Sequence, residues 1–132
     1  VIGDPHVKVG LVAGDGGAVI WPQLIGYARA KELLMTGDLV PAPQAAAMGL
    51  INHAVPTDAL DAKVAEIVAK IMGNPRWAVR WSKVVANQPL RVLAQQLMDA
   101  SIPYETLSNL AADRAEAVRA FKERRPPRLT GE

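Results

Sequence analysis

The sequence contains no cysteine, a single phenylalanine and no long run of apolar residues. The absence of cysteine excludes a disulfide framework and a thiolate metal site. The apolar runs fall far short of the roughly 18 residues that a membrane span needs. Lysine and arginine number 15 against 13 aspartate and glutamate, a balance too even to indicate nucleic-acid binding by itself. Because "VIGDPHVKVG" also lacks the basic and apolar regions of a signal peptide, we expect a soluble cytoplasmic protein.

Half of the 132 residues are apolar, which is enough for one domain or part of one. Strand-like patterns occur only in the first 12 residues and in "LINHAVP". One or two short strands do not form a stable sheet alone. We therefore expect this chain to be the second part of a longer polypeptide, or to be completed by a partner.

The rest of the sequence has the periodicity and punctuation of helices. The predicted helical segments are "GAVIWPQLIG", "YARAKELLMTG", "PAPQAAAMG", "TDALDAKVAEIVAKIMG", "PRWAVRWSKVVAN", a long segment running to Leu110, and "DRAEAVRAFKERR". Pro22 is expected to interrupt the first, and Pro103 to kink or divide the long one. Trp77 and Trp81, four residues apart, are predicted to be helix-packing core.

Helix starts are predicted from capping patterns. Thr57 or Asp58 is expected to cap the fourth helical segment. Asp113 and Glu116 have the spacing of a capping box at the start of the last one.

A glycine-rich turn, "GDGG" at residues 14–17, follows the first strand-like segment. It lacks the lysine of a Walker loop, and residue 19 is valine where a dinucleotide fingerprint requires glycine. A turn of small residues before a helix exposes backbone N–H groups at the positive end of the helix dipole and lets a flat ligand approach the backbone. Tight packing between the turn and its neighbours explains the same residues, so both interpretations remain open.

Four segments in order carry a more specific signal: "GDPHVKVGLVAGDGG", "WPQLIG", "ARAKELLMTG" and "AAAMGLINHAVP". They resemble the motifs of the second half of the enoyl-CoA hydratase/isomerase (crotonase) superfamily. The end of the chain, "DRAEAVRAFKERRPP", is similar to that family's closing motif. The resemblance covers essentially the whole chain.

The resemblance implies an α/β fold, of which this chain is the C-terminal and mostly helical half. Residues 1–56 would complete a spiral of ββα turns, and residues 57–132 would form a helical region that builds a homotrimer or a dimer of trimers and covers coenzyme A. It also implies an acyl-CoA substrate whose enolate oxygen is held by two backbone N–H groups. Those groups and the first catalytic glutamate belong to segments absent from this sequence, so we expect the isolated chain to be inactive. No metal or separate cofactor is expected.

The resemblance directs attention to His6 and Asp15 as catalytic candidates. The hydratase pattern has Pro-Glu where this chain has Pro5-His6. A histidine can act as a base near neutral pH, but it can equally line an acyl pocket. Some family members carry an aspartate in the glycine turn, but alignment on Gly10 puts that aspartate at position 14. Two interpretations of Asp15 therefore remain open: it is a catalytic residue, or it is an aspartate that simply lies at a helix start.

Other candidates follow from the same resemblance. Gly14, Gly16 and Gly17 would line the acyl pocket, and Phe121 and Lys122 would contact coenzyme A. His53 is expected at an edge or on the surface, and two histidines without a third ligand pattern do not indicate zinc. The basic residues near the C-terminus lack the interleaved aromatic residues of a nucleic-acid site.

Three functions therefore remain. The chain is expected to be part of one of three kinds of protein. The first is a hydratase/isomerase, and the second is a relative of different chemistry, such as an isomerase, thioester hydrolase or decarboxylase. The third is a non-catalytic module that binds coenzyme A or promotes assembly.

Overall fold

The computed structural model describes residues 1–132 and is mostly helical. Two short 3-10 helices span His6–Val9 and Thr57–Ala59. The seven α-helices are α1 (Gly16–Ile25), α2 (Tyr27–Thr36), α3 (Ala42–Ala47), α4 (Leu60–Met72), α5 (Arg76–Ala86), α6 (Gln88–Asn109) and α7 (Ala112–Glu123). All seven predicted helical segments are thus confirmed, and no helix is both long enough and apolar enough to cross a bilayer.

The predicted strands are absent from this chain. The only extended pairing is one antiparallel bridge, in which Ile2 and Val40 exchange backbone hydrogen bonds of 2.8 and 2.7 Å. Residues 6–9 form a 3-10 helix, and "LINHAVP" forms bends and irregular backbone. The mostly helical content expected for this chain is thus confirmed, whereas the two strand predictions are wrong, because the chain holds no second strand long enough to pair with either segment.

Both internal prolines lie within continuous helices, so neither divides its helix. Each proline removes one N–H donor, and the surrounding turns supply the remaining bonds. In α6, side chains on both sides of Pro103 bind the glycine turn or the residues just before it: Ser101 Oγ donates to the Gly14 carbonyl at 2.6 Å, and Val12 N donates to Ser108 Oγ at 3.0 Å. These contacts hold the parts of α6 before and after Pro103 against the same segment, residues 12–14.

The largest buried cluster lies in the first 50 residues. It comprises Ile25, Ala30, Val40, Ala45 and Leu50, from α1 to α3 and their connections. Ala30 and Ala45 are fully buried, because their small side chains let neighbouring elements approach closely. Gly37, the last residue of the predicted segment "YARAKELLMTG", ends α2 with a φ of +64° that favours glycine.

Helices α4 and α5 leave their apolar faces exposed. Leu60, Val64 and Ile71 of α4 are each about half exposed. The indole rings of Trp77 and Trp81 pack on each other with centroids 5.3 Å apart, but the residues are 54% and 61% exposed. Their predicted place in a core is wrong for this chain, because no other element covers this side of α5.

The predicted caps are also wrong. Neither Thr57 nor Asp58 caps α4, and α7 begins without any side-chain cap. Asp113 and Glu116 instead bind the C-terminal tail, residues 125–132, which folds back onto the start of α7. Their carboxylate oxygens accept from backbone N–H groups of Arg128, Thr130 and Gly131, so they do not form the predicted capping box.

Helices α6 and α7 return to the N-terminal residues. Helix α6 packs against α1, and α7 packs against the His6–Val9 turn, where Arg114 Nη1 donates to the Val9 carbonyl at 2.9 Å. The division at residue 56 stays a prediction.

Candidate functional site

The glycine turn is fixed in place by α6. Gly14 is buried, and its carbonyl accepts the Ser101 hydroxyl. A Cβ atom at position 14 would lie 2.6 Å from the Ser101 carbonyl oxygen and 2.7 Å from Glu105 Oε2. Gly14 is therefore required by close packing, and that packing brings Glu105 of α6 to the turn.

His6 is held by an acidic residue that the sequence analysis did not identify. Asp4 is buried, and its Oδ1 atom lies 2.5 Å from His6 Nδ1 and 3.3 Å from the His6 backbone N–H. An aspartate that binds backbone two residues ahead is a local turn pattern, and Asp4-Pro5-His6 is compatible with it. That pattern was the signal available in the sequence.

Asp15 lies on the other side of the imidazole. Its Oδ2 atom is 4.0 Å from His6 Nε2, and its side chain is 58% exposed. The residue immediately precedes α1, as expected for an aspartate at a helix start, but its carboxylate makes no capping hydrogen bond. The structure thus brings the two predicted catalytic residues together, nine positions apart in the sequence.

The pKa of His6 is raised above its ordinary value of 6.5. The main cause is the hydrogen bond that His6 Nδ1 donates to Asp4; partial burial opposes it, and the charges of Asp4, Asp15 and Glu105 add to it. A histidine with a raised pKa is a better proton acceptor while neutral. Nδ1 is occupied by Asp4, so the nitrogen available for proton transfer is Nε2.

The side chains of Asp4, His6 and Asp15 are less suited to binding a metal ion than to proton transfer. Asp4, His6 and Asp15 each offer one ligand atom, and these atoms lie within 4.8 Å of one another. The short contact between Asp4 and His6 directs Asp4 Oδ1 and His6 Nδ1 toward each other rather than toward a shared cation. The arrangement is that of a histidine between two carboxylates, which favours proton transfer.

The three glycines assigned to an acyl pocket have different surroundings. A Cβ atom on Gly17 would collide with Asp4 Oδ2, whereas one on Gly16 would meet nothing within 4 Å. Gly17 lets Asp4 approach the start of α1, and only Gly16 is open. Contact of Gly14, Gly16 and Gly17 with an acyl chain stays a prediction.

The remaining predicted residues lie away from His6 in the sequence. Phe121 and Lys122 are exposed on the last turn of α7, and Lys122 makes no ion pair. His53 is exposed, as expected, beside an apolar groove of about 470 Å³ lined by residues such as Val55, Leu60 and Val64.

Comparisons with known proteins agree with the motif resemblance. The family model described as enoyl-CoA hydratase/isomerase matches residues 1–132. The enoyl-CoA isomerase/hydratase fer4 of Mycosarcoma maydis is 37% identical over 131 residues, which cover 98% of this chain and 47% of that protein. The chain thus spans about half the length of the curated relatives it matches.

Solved structures give the same result for the fold. Carnitinyl-CoA hydratase from Mycobacterium avium superposes with a TM-score of 0.90 at 29% identity, covering 98% of this chain and 51% of that one. A β-diketone hydrolase from the cyanobacterium Anabaena, bound to (S)-3-oxocyclohexyl acetic acid, superposes with a TM-score of 0.73 at 26% identity, covering 79% of this chain and 42% of that one. Together with the match along all 132 residues, these likenesses show that the chain belongs to the enoyl-CoA hydratase/isomerase family.

Proposed function

We propose that this chain is the C-terminal part of an acyl-CoA enzyme of the hydratase/isomerase type, in which His6 transfers protons at the acyl group. The observation that carries the proposal is the position of His6 between Asp4 and Asp15 in a member of this family. In the complete protein, residues 1–56 complete a ββα spiral and residues 57–132 build a homotrimer or a dimer of trimers. Coenzyme A enters with the substrate, the location is cytoplasmic, and no other cofactor takes part.

Isomerisation suits a single base. Neutral His6 accepts a proton from a carbon of the enoyl group at Nε2, and the electron pair moves toward the thioester oxygen as an enolate. Backbone N–H groups outside this chain stabilise that oxygen, as the family resemblance implies. The same imidazolium returns the proton to another carbon of the acyl group, so the double bond moves and no atom is gained or lost.

Hydration requires more of the site. A water molecule must lose a proton as it attacks, and the acyl carbon beside the carbonyl must gain one. The family pattern provides carboxylates for these steps, and this chain has His6 at the position of the second one. We therefore expect hydration to be weaker than isomerisation.

A second candidate is the hydrolysis of a carbon–carbon bond in a 1,3-diketone. It is favoured by a histidine in place of the family carboxylate and by the similarity to the Anabaena β-diketone hydrolase. Water would add to one carbonyl with loss of a proton to His6, the carbon–carbon bond would break, and the leaving enolate would take the proton back. The products would be one carboxylic acid and one ketone from an open-chain diketone, or a single keto acid from a cyclic one.

Coenzyme A binding is assigned to Phe121 and Lys122. The aromatic ring offers a surface for the adenine, and the ammonium group offers a charge for a phosphate. Both side chains are exposed on α7, and Lys122 has no competing acidic partner.

The test is a comparison of His6→Ala and His6→Glu with the parent in the full-length protein. Each is assayed for double-bond isomerisation and hydration of short enoyl-CoA thioesters and for cleavage of cyclic 1,3-diketones. We expect His6→Ala to lower the main activity about 100-fold or more, since a positioned proton-transfer group contributes roughly 10²–10⁴-fold. His6→Glu should raise hydration relative to isomerisation.

The matched control is His53→Ala, which removes the only other histidine, an exposed one, and should leave all three activities unchanged. Robust hydration by the parent that survives His6→Ala would remove His6 from the mechanism. Cleavage of diketones without turnover of any thioester would select the second candidate.

A further inference from the structure

Asp4 is the only charged residue that is buried in the chain, and it faces His6. We propose that Asp4 is a positioning residue that holds the imidazole of His6 in the tautomer with hydrogen on Nδ1, so that Nε2 is the reacting nitrogen. The consequence for catalysis rests on the proposed function, whereas the tautomer itself does not.

The contacts of Asp4 explain why a carboxylate lies in a buried place. Burial of a carboxylate is unfavourable unless hydrogen bonds replace the water it loses. Asp4 Oδ1 accepts from His6 Nδ1 at 2.5 Å and from the His6 backbone N–H at 3.3 Å. Both donors belong to one residue, so the carboxylate fixes the ring relative to its own backbone. The tautomer of a histidine follows from the hydrogen bond that one ring nitrogen makes.

The other carboxylate oxygen is fixed by the fold. Asp4 Oδ2 occupies the space that a side chain at position 17 would need. Helix α1 can therefore approach Asp4 only because residue 17 is glycine. Asp4 and Gly17, near the two ends of the segment "GDPHVKVGLVAGDGG", thus depend on each other.

The opposite edge of the ring stays available. Nε2 lies 4.0 Å from Asp15 Oδ2, which is too long for a hydrogen bond. The acidic groups that act on the ring are Asp4 from the N-terminal segment, Asp15 from the glycine turn and Glu105 from α6. With Asp4 bound to Nδ1, a proton that enters or leaves at Nε2 meets only Asp15 and Glu105, and both stabilise the imidazolium.

The experiment measures His6 directly by nitrogen-detected NMR of the imidazole in full-length protein without substrate. Asp4→Asn removes the charge but keeps an acceptor, and Asp4→Ala removes both. We expect the parent to show hydrogen on Nδ1 in the neutral ring, Asp4→Asn to lower the pKa of His6, and Asp4→Ala also to lose the Nδ1–H tautomer. In the assays above, Asp4→Asn should lower kcat about tenfold or more and leave KM within about twofold, since it weakens the base and not substrate binding.

Asp38→Asn is the matched control, because it makes the same charge change at an exposed residue whose only ion pair is with Lys8; it should not change the His6 signals. If the tautomer and pKa of His6 are the same in the parent, Asp4→Asn and Asp4→Ala, the proposal is overturned. If those signals move as expected in a protein that turns over none of the substrates, the positioning role of Asp4 is supported and the proposed function fails. If Asp4→Ala does not fold, the pKa of His6 in Asp4→Asn decides whether the proposal holds.

Discussion

Two adjacent glycines at the start of α1 have opposite surroundings. A side chain at position 17 would collide with Asp4 Oδ2 and would lie 3.2 Å from Leu34 Cδ2, whereas one at position 16 would enter open space. The sequence shows the pair as equivalent members of one turn. Their separate roles depend on Asp4, which the chain brings against the second glycine only.

Gly17→Ala should therefore destabilise the protein and disturb His6. The added methyl must displace the Asp4 carboxylate, and overpacking of this kind costs about 1–3 kcal/mol. Thermal or urea unfolding of the full-length protein measures the stability, and the NMR signals of His6 report the displacement. Gly16→Ala is the control, with stability unchanged or raised by less than about 1 kcal/mol. Equal stabilities of the two variants would contradict this packing.

At the scale of the elements, α7 and the C-terminal tail form one unit. Glu116 accepts hydrogen bonds from Arg125 Nη1 at 2.5 Å and from the Arg128 backbone N–H at 3.0 Å. Asp113 accepts from the backbone N–H groups of Thr130 and Gly131 at 2.7 and 2.8 Å. Two carboxylates of the first turns of α7 thus bind the residues that follow the helix.

This contact should depend on pH. The hydrogen bond from Arg125, followed by that from the Arg128 backbone, lowers the pKa of Glu116 from 4.5 to about 2. A lowered carboxyl pKa gives stability that is fully present above the ordinary pKa and is lost as the pH falls through the folded value. Amide hydrogen exchange at Arg128 should therefore accelerate as the pH falls below about 4.5, after correction for intrinsic exchange.

In Glu116→Gln, the amide of Arg128 should exchange faster near pH 6, after correction for intrinsic exchange, and its exchange rate should depend less on pH. The pH dependence that remains comes from Asp113, whose pKa is also lowered. Glu123→Gln is the control, because Glu123 contacts the same Arg125 but binds no backbone group of the tail. Identical exchange profiles for the parent and Glu116→Gln would exclude Glu116 as the residue that holds the tail.

At the scale of the whole molecule, the chain exposes more surface than its size requires. Its accessible area is 9637 Å², whereas a compact monomer of 14.1 kDa exposes about 6,700 Å². The excess of about 2,900 Å² is in the range that obligate interfaces bury. Much of it is apolar, including Val64, Ile71, Trp77 and Trp81 on α4 and α5.

We therefore predict that the isolated 132-residue chain does not behave as a folded monomer. It should associate in sedimentation experiments and lack a cooperative thermal transition, because its apolar faces need the rest of the protein or neighbouring subunits. The full-length protein is the control and should sediment as a trimer or a multiple of one, with a cooperative transition. A monodisperse, cooperatively melting monomer of the isolated chain would refute this prediction.

The sequence by itself determined the helices, several of their ends and the family. Periodic apolar residues predict helices because side chains three and four positions apart share a face. Gly37 and Gly49 mark helix ends because their φ angles of +64° and +85° suit glycine. These signals are local, so they are readable without tertiary contacts, and the family motifs placed His6 and Asp15 among the candidates.

Only the tertiary structure decided which side chains meet. Ser101 and Gly14 are 87 positions apart, and Arg114 and Val9 are 105 apart, so no local pattern predicts that α6 and α7 enclose the His6 turn. The strands and the tryptophan core failed as predictions for a related reason: a strand needs a neighbouring strand and a core residue needs a covering element. Asp4 was missed although its contact with His6 spans only two residues, because the local turn pattern does not show that the carboxylate is buried against Gly17, a contact that exists only in the folded chain.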